Sequence, residues 1–202
     1  FPDPNRADNK ITAIALYDKI MDKYSCFVLG NVPNTDVVES FQSEEELLQR
    51  FYQKYLEINP TILSGWNIDG FDIPYLYHRI KNECGKDWSK WLSPIGIVRS
   101  RKETQFIWPK DLYVEIAGVS SLDYMKMHRK YSMRDEPSWK LDDIGAKYAG
   151  LNKIEYEGSL DKLFEEDINK FIEYNFRDVE ILKVLDEKLQ YIDLTKNLCH
   201  KG

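Results

Sequence analysis

The segment that most constrains this chain runs from Thr61 to Cys84. An apolar run, Thr61–Trp66, stops at the polar turn Asn67-Ile68-Asp69-Gly70. Asp72 then opens a stretch whose apolar residues Ile73, Leu76, Tyr77 and Ile80 recur at helical spacing. The pattern predicts a strand, a tight turn and a helix. Asp72 stands where an N-cap stands, and Pro74 fits the first helical turn. Strand, turn, carboxylate, helix is also how an α/β sheet places an acid at the mouth of its strands, where such folds bind ligands. Taken alone, Asp72 has the simpler account of a helix cap.

A second stretch, Phe171 to Glu180, lies in a long helical pattern with Phe171, Leu182 and Leu185 among its apolar positions. Tyr174 and Asp178 are four residues apart and therefore share one helix face. Taken alone, a tyrosine packed in the core beside an exposed aspartate is the commoner explanation of such a pair.

Together, in this order and about a hundred residues apart, the two stretches resemble a known family. Asn67-x-x-x-Phe71-Asp72 is similar to the second exonuclease motif of family B DNA polymerases, and Tyr174-x-x-x-Asp178 to the third. The resemblance runs through nearly the whole chain and is nearest to the polymerases of T-even-like bacteriophages. It is carried also by Gly65-Trp66-Asn67, Phe71 to Tyr75, Tyr77-x-Arg79-Ile80-Lys81-Asn82, Leu92-Ser93-Pro94, Leu122-Asp123-Tyr124 and Tyr174-Asn175.

The resemblance implies a proofreading 3′–5′ exonuclease domain of ribonuclease-H-like fold: an α/β architecture with a mixed central sheet flanked by helices and a β-hairpin insertion at about 95–119. By motif, Asp72, Tyr174 and Asp178 are the catalytic residues. Asp72 and Asp178 are the metal ligands for Mg²⁺ or Mn²⁺ in a two-metal site, and Tyr174 orients the attacking water. Asn67 and Phe71 lie near the terminal nucleotides, although core packing accounts for Phe71 as well. The implied partners are the single-stranded primer 3′ end and the polymerase domains of a parent chain, in the cytoplasm of a host cell. Hard oxygen ligands suit Mg²⁺ and Mn²⁺, and two such ions relieve charge on a phosphodiester under attack.

The sequence departs from the family in one respect. The family's first motif, Asp-x-Glu on the first strand, precedes a segment like Phe1-Pro2-Asp3-Pro4, and this chain begins at Phe1 without Met. The expectation is a single, N-terminally truncated domain over residues 1–202 with its first central strand absent. That strand would lie between Ile11–Leu16 and Thr61–Trp66, and its loss would strand two rows of backbone donors and acceptors. Weak hydrolysis, an incomplete metal site and self-association through the open sheet follow as expectations. A non-catalytic DNA-holding or scaffold module is the alternative, and a free-standing exonuclease acting on RNA is a third reading.

Composition restricts the other classes. The 202 residues are 43% hydrophobic and 31% charged, which suits one soluble domain with a proper core. No run approaches a membrane span. Three scattered cysteines and three histidines give neither a disulfide framework nor a zinc site. There is no Gly-rich dinucleotide fingerprint and no phosphate loop. A net charge of −6 opposes a free-standing nucleic-acid binder, but an acidic metal site within a larger protein tolerates it.

Elsewhere the pattern predicts a hairpin from Ile11–Leu16 and Tyr24–Leu29, and a helix from Ser43 with the capping box Ser43-Glu44-Glu45-Glu46. Further expectations are a helical turn at Trp88–Leu92, strands at Ile95–Val98 and Tyr113–Val119, and helices over Ser121–Tyr131 and Ser138–Ala149. A final helix is expected from about Asp167 past Leu189. Arg99, Arg101 and Lys102, in the charged tip of the hairpin insertion, are candidate DNA-binding residues through phosphate contacts, and a solvated loop explains them equally well.

Overall fold

The computed structural model describes residues 2–101 and 114–201. Strands β1 (Ala13–Asp18) and β2 (Lys23–Leu29) form the expected antiparallel hairpin, and β3 (Val38–Phe41) joins β2 in parallel. On β2, Cys26 and Val28 pack into one cluster and Phe27 into another, so both faces of this strand are buried. Successive side chains of a strand point to opposite faces, and a strand covered on both sides needs apolar residues at consecutive positions.

Helix α1 (Glu44–Ile58) covers the Phe27 face with Leu47, Leu48, Phe51 and Tyr52. Its capping box forms as predicted at the N-cap, where Ser43 Oγ accepts from Glu46 N at 3.3 Å. At the other end, Asn59 adopts a left-handed conformation (φ 47°) just before Pro60. The strand β4 (Ile62–Gly65) and the helix α2 (Asp72–Glu83) follow as the pattern required. The short 3₁₀ turn Trp88–Leu92 packs its stacked Trp88 and Trp91 beside Tyr52. Strands β5 (Val98–Ser100) and β6 (Val114–Ile116) pair antiparallel. The segment joining them, which includes Lys102, lies outside the described residues.

Three expectations are corrected downstream. The helix expected from Ser121 begins later, because Ser120–Asp123 is a strand, β7, pairing in parallel with β4. Its apolar signal is only Leu122, too short a pattern to declare a strand. Helix α3 (Tyr124–Tyr131) then starts with Asp123 as N-cap, whose carboxylate accepts from Lys126 N at 3.2 Å. The helix expected over Ser138–Ala149 is reduced to α4 (Leu141–Ile144) and a wider turn, Gly145–Ala149, ended by Gly150 at φ 74°. The final helical region is α5 (Leu160–Glu166), α6 (Ile168–Leu189) and α7 (Tyr191–Lys201), broken at Gln190 with φ 54°.

The sheet is the fourth correction. The described strands do not form one central sheet but three: β1-β2-β3, β4-β7 and β5-β6. Strands β1 and β4 do not pair with each other, and each has a strand partner on one side only among the described residues. This agrees with the expectation that Ile11–Leu16 and Thr61–Trp66 would not be direct neighbours. Helix α6 bridges the halves. Phe171 and Ile172 pack with Cys26 and Val28 of β2, and Ile181 and Leu185 pack with Tyr124 and Ile144.

The N-terminal segment is fastened by a buried ion pair. Arg79 of α2 meets Glu44 of α1 through two hydrogen bonds of 2.7 and 2.6 Å. Arg79 also donates to Ala7 O at 3.1 Å, and Glu44 accepts from Ile11 N at 2.7 Å. Among the described residues, no helix is long and apolar enough to cross a membrane.

Candidate active site

The turn after β4 is built by Asn67 in a left-handed conformation, φ 61°. Its carbonyl accepts from Gly70 N at 3.1 Å and from Phe71 N at 3.0 Å. A Cβ on Gly70 would lie 2.5 Å from Asn67 Oδ1, so glycine is needed for the amide to sit where it does. Phe71 is half-buried and stacks on Tyr75 at 5.4 Å.

Asp72 does not cap α2. The N-cap position is Phe71, no side-chain cap bond forms, and Asp72 occupies the first helical turn with Pro74 two residues on. Its carboxylate is therefore not spent on satisfying the helix end. Asp72 keeps contact with solvent, yet protein surrounds it on most sides, as for a carboxylate on the floor of an open depression. Burial pushes its pKa up to about 7, and the charges of Asp123 and Asp178 add to the rise against a hydrogen bond from its own backbone N–H. The two charges that add to the rise come from other elements, Asp123 at the end of β7 and Asp178 on α6.

Asp178 lies on α6 with Tyr174 one turn before it, as their spacing required. Between them sits Lys153, from the segment after Gly150. Its ammonium donates to Tyr174 Oη at 2.9 Å and to Asp178 Oδ2 at 3.1 Å, and lies 3.0 Å from Oδ1. Asp142 fixes the Lys153 backbone by accepting from its N–H at 2.9 Å. Burial opposes the charge on Lys153, but Asp178 and Tyr174 outweigh it and its pKa rises. Burial also raises the Asp178 pKa, and Asp142 repels it, so Lys153 offsets only part of the cost of ionising it. Tyr174 is raised above 10 by burial, although Lys153 pulls the other way, and it is therefore a hydrogen-bonding group rather than a base.

A cavity of about 420 Å³ opens beside this trio, lined by Asp142, Lys153, Ile154, Glu155, Tyr156 and Tyr174. The Tyr156 ring meets Tyr174 edge-on at 5.4 Å. On the far side, buried Asp69 accepts from Ser121 Oγ and from Lys126 Nζ, the latter at 3.0 Å, and its N–H donates to Asp123 at 3.3 Å. Asp123 is thus largely consumed by backbone donors.

As a metal site the donor set is short. Its carboxylates are hard ligands of the right kind, and buried Asp178 Oδ1 makes no hydrogen bond among the described residues, although the Lys153 ammonium lies 3.0 Å from it. Among the described residues, however, no group of three or more acidic, histidine or cysteine side chains is placed to hold an ion. Asp72 and Asp178 fit a divalent cation only as part of a larger set.

The family model described as "DNA polymerase family B, exonuclease domain" matches residues 1–144. The chain belongs to this family. The chain is 32% identical to the DNA-directed DNA polymerase of Escherichia phage RB69 over an alignment of 226 positions, covering 98% of this chain and 25% of that protein. It is 31% identical to the Enterobacteria phage T4 enzyme over 228, covering 99% and 25%. DNA polymerase 1 of Sulfurisphaera ohwakuensis is 30% identical over 196, covering 89% and 20%. The chain thus spans about a quarter of the phage relatives it matches.

Of the site residues expected in this exonuclease domain, Asp72, Tyr174 and Asp178 are brought to one region, with Asn67 and Phe71 on the adjoining turn. Arg99 is partly neutralised across the β5-β6 pair by Glu115 at 3.2 Å. Arg101 is exposed at the edge of the described residues, and Lys102 lies beyond it. Sequence reasoning missed Lys153 and Asp123. A lone lysine in a polar loop carries no sequence signal, whereas Asp123 sits within a matched segment, Leu122-Asp123-Tyr124.

Proposed function

We propose that this exonuclease domain hydrolyses the 3′-terminal phosphodiester of a DNA primer strand and so proofreads for the polymerase of a larger chain. The observation that carries the reading is the pair Tyr174 and Asp178 held together on α6 by Lys153, with the Asp178 charge among those that raise the pKa of Asp72, from a segment about a hundred residues away. Asp178 and Asp72 would hold divalent cations, which when bound supply charge relief at the phosphate and a nucleophilic water of lowered pKa. Lys153 donates to Tyr174 Oη, which leaves the phenolic proton free to orient a water molecule. The same ammonium offers a fixed positive charge to a phosphate. Asn67 and Phe71 would engage the terminal nucleotides.

The same reading makes the architecture ribonuclease-H-like, a single domain with β5 and β6 as the root of a hairpin insertion. The one-sided strands β1 and β4 suit a further strand between them, carrying the Asp-x-Glu that would complete the donor set. Primer 3′ end, polymerase domains, a host cytoplasm and self-association through β1 or β4 belong to this proposal. A scaffold or DNA-holding role is the second reading, favoured by the ammonium of Lys153 lying against the carboxylate a cation would need.

The test is 3′ shortening of 5′-labelled single-stranded DNA with Mg²⁺ or Mn²⁺. The 202-residue chain would be compared with a version extended by an Asp-x-Glu strand, each with and without Asp178→Ala. Stepwise shortening by the extended version, abolished by Asp178→Ala, is expected, with little from the shorter chain. No shortening by either folded protein would favour the scaffold.

A further inference from the structure

Positive charge is concentrated on one stretch that the proposed chemistry does not use. Between Tyr124 and Lys140 the chain is rich in lysine and arginine and carries only Asp135 and Glu136 as acids, in a protein of net charge −6. Of the two acids, Glu136 is engaged by Lys147 at 2.8 Å and by Tyr148 at 2.5 Å, which leaves Asp135 exposed. Arg129, Lys130, Arg134 and Lys140 are all exposed, and none of the four forms an ion pair among the described residues. Arg129 instead lies over the Trp139 ring at 4.7 Å, and Lys130 over Tyr131 at 5.3 Å.

The surface is fastened to the site. Trp66, the residue before Asn67, donates from Nε1 to Trp139 O at 3.0 Å, and Lys126 of α3 holds Asp69 of the same turn. Asp123, whose charge adds to the rise of the Asp72 pKa, is the N-cap of helix α3. Arg129 lies six residues beyond Asp123, about 9 Å along the helix axis at roughly 1.5 Å per residue. That is about three base steps at roughly 3.4 Å each. The helix dipole accounts for cations in the last turn of α3. It accounts for neither Arg134 and Lys140, which lie beyond that turn, nor the seating of Arg129 on Trp139.

We propose that Arg129, Lys130, Arg134 and Lys140, with Trp139 as platform, form a nucleic-acid contact surface that grips the phosphates of the DNA strand a few nucleotides behind the end presented to Asp72 and Asp178. The partner is a polynucleotide because the surface combines an aromatic face with guanidinium and ammonium groups that have no carboxylate partner among the described residues, the pairing that holds single strands without reading sequence. It adjoins the turn that carries Asn67. The inference rests on the proposed exonuclease reading for its orientation, but binding is measurable without hydrolysis.

The experiment is fluorescence anisotropy with a labelled single-stranded oligonucleotide in EDTA, across a salt series. The variant Arg129→Gln/Lys130→Gln/Arg134→Gln/Lys140→Gln should bind about tenfold or more weakly. Its slope of log affinity against log salt should become shallower by about 2–3, at about 0.7 for each phosphate of a single strand that is no longer neutralised. A control with Lys10, Lys86, Lys162 and Lys196 changed to Gln alters net charge equally and should change binding by less than about threefold. Arg129→Lys keeps the charge and should retain most of the affinity, which separates phosphate binding from folding, and melting curves check all forms. Equal losses in both quadruple variants, or none in the first, overturn the proposal. So does binding of the surface to anionic phospholipid vesicles without binding to DNA. Loss of binding together with absence of cleavage in the extended enzyme would retain the surface and reject the exonuclease reading.

Discussion

The Lys153 ammonium lies 3.0 and 3.1 Å from the two carboxylate oxygens of Asp178 and 2.9 Å from the hydroxyl of Tyr174. One positive charge thus balances the acid on α6 and orients the phenol one turn away. Lys153→Met would leave Asp178 partly buried and uncompensated, at a cost of about 1–2 kcal/mol in urea unfolding. Adding Asp178→Asn should recover at least half of that loss. A double variant whose losses simply add would show that the pair contributes nothing to stability.

Asp72 sets a stability cost that depends on pH. Its pKa rises from 3.8 to about 7 in the folded chain, so the fold prefers the neutral acid. The stability linked to this group is complete below 3.8 and is lost as pH rises through about 7. Asp72→Asn should therefore raise the melting temperature at pH 8 by about 1–3 °C, kept small by solvent contact. The gain should shrink steadily toward pH 4. Mn²⁺ added to the strand-extended protein should close the gap by stabilising the wild-type carboxylate.

His128 acts in the opposite direction. It is fully buried among Trp66, Trp139, Tyr148 and Tyr191, and neither ring nitrogen has a hydrogen-bond partner among the described residues. Burial lowers its pKa from 6.5, although Glu136 at 3.8 Å opposes the shift and Lys147 supports it. The unfolded chain takes the proton more readily, so stability is complete above 6.5 and falls as pH drops through and below that value. Urea midpoints at pH 7.5 and 5.5 should differ more for the wild type than for His128→Phe. Equal differences would exclude His128 as the source.

The Arg79–Glu44 pair is buried on both sides, with side chains 8% and 3% exposed. Arg79→Leu should cost about 3–5 kcal/mol, because it strands a buried carboxylate. Limited proteolysis should then cut within residues 3–12, whose Ala7 and Asp8 carbonyls lose their donor. Unchanged protection of that segment would place its attachment elsewhere, at Tyr75 and Asn9 for example.

The two motif stretches are legible in the sequence because each joins a local signal to a chemical one. Periodicity places Asp72 at the start of α2 and puts Tyr174 and Asp178 on one face of α6. It does not reveal that Asp72 leaves the cap position to Phe71, because position alone does not show whether a side chain turns back to the helix end. Strand β7 is illegible since Ser120-Ser121-Leu122-Asp123 has no alternation of its own and is a strand only through its pairing with β4. Lys153 is invisible for a related reason. Its meaning lies entirely in α6, where Tyr174 and Asp178 follow it by more than twenty residues, and in the Asp142 anchor of its backbone.

Helix α6 is buried at both ends of its length but in different surroundings. Phe171 and Ile172 pack with Leu163 and the β2 strand, Ile181 and Leu185 pack with Tyr124 and Tyr191, and Asp178 falls between the two sets. The carboxylate is therefore surveyed from two independent anchor points, like a mark on a beam with two supports. In genetic terms, lesions as distant as Leu163 and Tyr191 should converge on one phenotype, since each loosens a support of the helix that carries Asp178.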